Sequence, residues 1–318
     1  MTDSPPTALA APRPARELVA RVWHGDLAYG FRSSPTAMIS TAVLLVCLGG
    51  ALFAPWVAPH NPFDLKTLNL LDGLAPPAWQ AGGTARYLLG TDDQGRDVLS
   101  AIMYGTRISL LVGLAAVALA MVLGVSLGLV AGYAGGRVDS VIMRIADVQL
   151  SFPAILIALL IDGVARAALP RDAHADLALF VLVVAIGLAN WVQYARTVRG
   201  STMVEKSKEY VQAARVIGIP PLSIMRRHLL PNVLGPVLVL ATINIATAII
   251  TEATLSFVGV GVPPTQPSLG TLIRVGNDFL FSGEWWITIF PGAALVIMVL
   301  AINLLGDWLR DALNPRLR

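Results

Sequence analysis

The sequence predicts an all-α integral membrane protein with six transmembrane helices and both termini on the cytoplasmic side. Three observations carry that expectation. Only 14% of the 318 residues are charged and 55% are hydrophobic, against about 25% charged in soluble domains. Five apolar stretches match or approach the roughly 20 residues a helix needs to cross the hydrocarbon core, and a sixth falls a little short. Lys and Arg are unevenly shared among the segments between them.

Residues 1–36 read as a mostly disordered cytoplasmic tail, Pro/Ala-rich and carrying Arg13, Arg16, Arg21 and Arg32. Residues 37–318 form the transmembrane domain. The first span, Met38–Ala58, is longer than a signal-peptide core and is expected to be retained. It holds Cys47, the single cysteine, which reads as a packed thiol with no disulfide partner. The following loop Gly90–Asp97, GTDDQGRD, is rich in carboxylates but lacks the spacing of an EF-hand calcium loop. Thr91 or Asp92 is expected to cap the next helix.

The second span, Ile108–Ala131, carries Gly124, Gly128 and Gly132 in register, a helix-packing face where two backbones approach closely in lipid. The third, Val138–Ile161, has Asp139, Arg144 and Asp147 in its first half. Arg144 and Asp147, three residues apart, are expected to pair on one helix face. The fourth, Leu177–Ala195, ends near Asn190 and Trp191, where an interfacial aromatic is expected. The fifth, Val233–Val258, contains Glu252 two-thirds of the way along. A carboxylate at that depth is costly and faces the bundle interior or water. Trp285–Leu305 is the sixth.

The count of basic residues sets the orientation. With the N-terminus inside, 16 of the 23 Lys and Arg lie on the cytoplasmic side and 7 outside, as the positive-inside rule requires. No basic cluster points to nucleic acid. The plasma membrane is the expected location.

Between the fourth and fifth spans lies a polar, basic segment, 205–232. Apolar residues fall at Val211, Ala214 and Ile217, then at Leu222, Met225 and Leu229, both at helical spacing. Gly218 is placed to close the first helix in a left-handed conformation. Pro220 and Pro221 suit the first turn of a second. Two short helices at an angle are expected, each with an apolar edge and a basic remainder. The pattern fits a helix lying on anionic lipid headgroups and equally a docking element for another protein.

The segment resembles the cytoplasmic "EAA" loop of ABC-importer permeases: Glu-Ala-Ala, three residues, Gly, nine residues, Ile-x-Leu-Pro. Here the pattern falls on Gln212-Ala213-Ala214, Gly218 and His228-Leu229-Leu230-Pro231. Gln212 replaces the acid and His228 the isoleucine, departures usual in the peptide-importer branch. EYVQAAR, beginning at Glu209, and RHLLPN resemble that branch. So do LLGTDDQGRDVLSAIMYGTRISLLVG (88–113), RVDSVIMRIADVQLSFP (137–153) and TEATLSFVGVGVPPTQPSLG (251–270). They resemble the C-type permease subunit of dipeptide and oligopeptide importers.

The resemblance implies a type I ABC importer permease fold. It assigns an ATPase-coupling role to Glu209, Gln212, Ala213, Ala214, Gly218, His228, Leu230 and Pro231, and a structural or gating role to Glu252, with Arg144 and Asp147. The implied partners are a second permease subunit forming a heterodimer, two cytoplasmic ATPase subunits, an extracytoplasmic substrate-binding protein touching residues 59–104, and membrane lipid. The chain has no G-x-x-x-x-G-K-[ST] phosphate loop. It is therefore expected to bind no cofactor itself and not to be an enzyme, with ATP and Mg on the partner ATPases. Nickel complexes, opines or glutathione are alternative cargoes. An ion-coupled secondary transporter using Glu252 and Arg144 is the alternative from another class. Such transporters usually carry internal repeats, and none is evident between the halves.

Overall fold

A computed structural model describes residues 26–64, 68–262 and 266–312, and the backbone alone at 26–27 and 171–176. Most of the expected tail, with Arg13, Arg16 and Arg21, therefore lies outside the described residues. What remains of it is ordered: α1 (Asp26–Ser33) leads into α2 (Pro35–Leu52), where Ser34 caps through its side chain and Pro35 opens the helix. The helix stops at Phe53, and the short α3 (Ala54–Val57) completes the first crossing. The expected first span is thus two helical pieces.

The long helix α4 (Val98–Ala134) has 37 residues, about 55 Å at 1.5 Å per residue, so it projects beyond the hydrocarbon on the outer side. Its cap is Asp97, not Thr91 or Asp92. The Asp97 carboxylate accepts from the Ser100 amide at 2.8 Å and from its hydroxyl at 2.5 Å. Asp92 instead folds its own loop, accepting from the Gln94 and Arg96 amides at 2.9 and 2.8 Å. Burial pushes the Asp92 carboxyl above the usual range. Thr91 donates to the Asp72 carbonyl and accepts from the Ala75 amide.

The third span is broken. α5 (Gly136–Leu150) and α6 (Ala154–Ala168) meet at 95°. The cause is Pro153, which has no N–H to continue the ladder and forces the preceding residue out of the helical region. The bend is held from the side: Gln149 donates to the carbonyls of Leu188 and Ala189 and accepts from Trp191 Nε1 at 2.7 Å. Trp191 is accordingly buried rather than interfacial.

α7 (Arg171–Glu205) carries the fourth crossing and ten further residues beyond Ala195. It packs along α4. A Cβ on Gly124 would sit 2.4 Å from the Trp191 carbonyl oxygen, one on Gly128 2.5 Å from that of Ala195, and one on Gly132 2.7 Å from Thr202 Cβ. No side chain larger than hydrogen fits at any of the three. α8 (Glu209–Val216) follows. Then α9 (Pro221–Ile224), a π-helical turn at Met225–Leu229 and α10 (Leu230–Val258) run as one 38-residue rod. α11 (Leu269–Asn277) lies across the outer ends of α4 and α10, and α12 (Trp286–Ala312) makes the last crossing. The core is shared by α4, α7 and α10, around Val112, Ala116, Leu182, Ile186, Tyr194 and Ala248.

Candidate coupling site

The segment between α7 and α10 holds the two expected short helices, α8 and α9, but α9 is not free and runs through the π-helical turn into α10. α8 ends in a Schellman arrangement: Gly218 has φ +82°, its N–H bonds the Arg215 carbonyl, and the Ile219 N–H bonds that of Ala214, each at 3.0 Å. A Cβ at Gly218 would meet nothing within 4 Å, so the glycine is there for backbone conformation. Pro221 then starts α9, but α9 continues into α10. The second expected helix is the cytoplasmic end of the fifth span.

Its apolar edge splits in two. Val211, Ala214, Ile224 and Leu229 are buried and join the main core. Val216, Ile217 and Leu222 are 88%, 77% and 73% exposed and form a knob around the Gly218 turn. The polar residues brace the knob. Tyr210 Oη donates to Glu205 and accepts from Asn232 Nδ2 at 2.9 Å, and Asn232 also donates to the His228 carbonyl at 2.7 Å. The Tyr210 and His228 rings stack 6.3 Å apart. Gln212 donates to the Lys206 carbonyl, and Lys206 Nζ reaches the Gly132 carbonyl at 2.6 Å. Lys208 pairs with Glu205 at 2.8 Å, and the Arg215 guanidinium lies 4.8 Å from the Tyr133 ring centroid. Hydrogen bonds from Lys208 and Tyr210 hold the Glu205 carboxyl below its usual range. Partial burial and the Glu205 carboxylate push Tyr210 up to about 12.

Of the residues assigned from sequence, Glu209, Gln212, Ala213, Gly218 and Pro231 are exposed, Ala214 is buried, and His228 and Leu230 are half-buried. They gather at one end of the bundle. The sequence does not single out Glu205, Tyr210 and Asn232 as a brace, because the Tyr210–Asn232 bond closes only when α8 packs against α10, and Lys206, one of the segment's basic residues, finds its partner at the Gly132 carbonyl of α4.

Arg144 and Asp147 do not pair. Asp147 instead meets Arg196 Nη2 of α7 at 2.5 Å, and Asp139 meets Arg199, with an Nη2–Oδ2 distance of 2.6 Å. Both acids face α7, and two arginines one turn apart there outcompete the same-helix partner. Arg144 is exposed.

Glu252 is fully buried. Ser109 of α4 donates to one carboxylate oxygen and Ser256 to the other, both at 2.7 Å. Ser109 in turn accepts from the Leu269 amide at 3.3 Å, while Ser268 caps α11. A Cβ on Gly270 would lie 2.4 Å from the Ala253 carbonyl oxygen. Glu252 therefore sits under the first turn of α11, where the helix dipole favours an anion.

Among the described residues, an all-helical bundle with five helices long and apolar enough to cross, six counting the bent pair, and a braced knob at one end defines a multi-pass membrane protein. The family model "Binding-protein-dependent transport system inner membrane component" matches residues 124–318, and "N-terminal TM domain of oligopeptide transport permease C" matches 22–77. The chain belongs to that family of binding-protein-dependent inner-membrane transport components. It is 37% identical over 310 residues to a di/tripeptide transport system permease protein, DppC, of Pseudomonas aeruginosa, covering 98% of this chain and 95% of that one. It is 41% identical to the dipeptide transport system permease protein DppC of Escherichia coli, covering 98% and 97%. The match to the corresponding Haemophilus influenzae protein is 40%, covering 91% and 93%. Among solved structures, inward-facing conformations of the MetNI methionine ABC transporter share the fold, with TM-score 0.52, 20% identity, and 67% of this chain and 96% of that one covered.

Proposed function

We propose that this chain is the C-type permease subunit of an ATP-driven importer of dipeptides and short oligopeptides. The observation that carries the coupling role is the exposed Val216, Ile217 and Leu222 knob, held rigid by the Gly218 turn and the Tyr210 brace at the cytoplasmic end of the bundle. Three large apolar side chains left in water beside Arg226 and Arg227 make a compact docking element. A cytoplasmic ATPase groove is the partner this reading assigns to it, and ATP and Mg belong to that subunit. A second permease forms the heterodimer, and an extracytoplasmic binding protein delivers the solute to the outer segment. The dipeptide assignment rests on the relatives' names and on their near-complete coverage of this chain.

In the reconstituted complex, Gly218→Pro and Ala213→Glu are expected to abolish substrate-stimulated ATP hydrolysis while the chain still inserts in the membrane. Full stimulation in either variant sinks the docking assignment. Uptake driven by an ion gradient without ATP sinks the importer class altogether.

A further inference from the structure

The outward surfaces of the membrane helices differ in chemistry. On α2, α4 and α12 they are carried by side chains such as Leu45 and Val46, Leu111 and Val122, and Val296 and Leu300, suited to acyl chains. Along the junction of α7 and α10, polar uncharged side chains gather around Ile250, which is itself 47% exposed. Gln193 and Thr247 are exposed, and Thr197, Thr251 and Thr254 are half-buried.

These residues share one side of the junction. Asn190 of α7 and Asn244 of α10 meet at a small pocket also lined by Tyr194 and Ala248. Gln193 lies three residues after Asn190 and Thr247 three after Asn244. A step of three residues turns a helix back by about 60°. Because α7 and α10 cross in opposite directions, the two offsets rotate to the same side. Thr251 and Thr254 continue that side outward, at i+4 and i+7 from Thr247.

The hydroxyls are already committed as donors. Thr197 donates to the Gln193 carbonyl at 2.9 Å, Thr251 to that of Thr247 at 2.8 Å and Thr254 to that of Ile250 at 2.7 Å. What each threonine presents outward is its acceptor lone pairs. Gln193 adds an amide with both a donor and an acceptor. Inside the junction, the Asn244 amide nitrogen and the Tyr194 hydroxyl are buried without hydrogen-bond partners. Arg196, next along α7, is occupied by Asp147.

We infer that the Gln193, Thr197, Thr247, Thr251 and Thr254 face is this chain's share of the wall of the solute path, resting on the importer reading above. Its ligand class is a short peptide, met through backbone N–H groups and the α-ammonium. A wall of acceptors without fixed charge binds those groups and is indifferent to side-chain charge. This chain would then pass cationic and anionic peptides alike.

The test starts from Cys47→Ser, which leaves a chain without cysteine. Thr247→Cys, Thr251→Cys and the acyl-facing control Val296→Cys are assembled with their partners in vesicles and exposed to a charged, membrane-impermeant methanethiosulfonate. A thiolate forms in water and not in lipid, so both threonine sites are expected to react at least about tenfold faster than the control. Equal rates overturn the wall. In parallel, Thr247→Asp and Thr247→Lys are expected to swing the uptake ratio of lysyl-alanine to glutamyl-alanine in opposite directions, each by about threefold or more. An unmoved ratio also overturns it. ATP-dependent uptake of alanyl-alanine by the unsubstituted complex is measured first; its absence counts against the importer reading, not against the wall.

Discussion

Glu252 shows how one ionisable residue is made tolerable inside a membrane helix. Its two oxygens are met by hydroxyls from two helices, and a third helix begins directly above it. Removing the carboxylate while keeping the hydroxyls is therefore worse than replacing it by an amide. Glu252→Leu is expected to strand Ser109 and Ser256 and cost about 1–3 kcal/mol, read as a lower Tm of the purified protein in detergent. Glu252→Gln keeps an acceptor for Ser109 or Ser256 and should lose much less. Equal losses would show that the hydrogen bonds are not what matters there. Tyr210 is the counterpart at the inner end. Tyr210→Phe removes the donor to Glu205 and the acceptor for Asn232, and faster proteolytic cleavage within 206–220 is the expected outcome. Acid should act on the same brace. The Glu205 carboxyl is held below its usual value, so its contribution is complete above the unfolded-state value and is lost as pH falls through the folded one. Cleavage of the loop is expected to accelerate on acidification and to stay slow at neutral pH.

At the scale of elements, the α4–α7 contact depends on three missing side chains. Gly128→Leu would drive a Cβ to 2.5 Å from the Ala195 carbonyl oxygen and is expected to cost about 1–3 kcal/mol or more as the helices separate. Gly163→Leu on α6, where nothing lies within 4 Å, is the matched control and should leave Tm unchanged. Those glycines were legible in the sequence because their spacing alone puts them on one face. The spans were legible for a similar reason, since apolar run length is a local property. The break at Ser151–Pro153 was missed: Phe152 and Pro153 stood in plain view, but the hydropathy of 138–161 averages over them. The partners of Asp139 and Asp147 were out of reach, because the arginines that take them lie about 50–60 residues away and meet them only through helix packing. Asp97 won the cap of α4 from Asp92 because Asp92 is consumed by the turn that precedes it.

At the scale of the whole molecule, both polar sites rest on a single element. The rod from Pro221 to Val258 bears Leu222 of the exposed knob near one end and Glu252 near the other. Thirty residues of helix place them about 45 Å apart. The knob is bolted to α7 through Asn232, Tyr210 and Glu205, and the far end is bolted to α4 and α11 through Glu252 and Ser109. A tilt of about 5° about one end therefore carries the other through about 4 Å, more than a hydrogen bond survives. Mechanically the rod is a crank: displacement imposed in the cytoplasm must either shear the Ser109 contact of Glu252 or drag α4 and α11 with it, and a disturbance at the outer face must arrive at Leu222 by the same shaft.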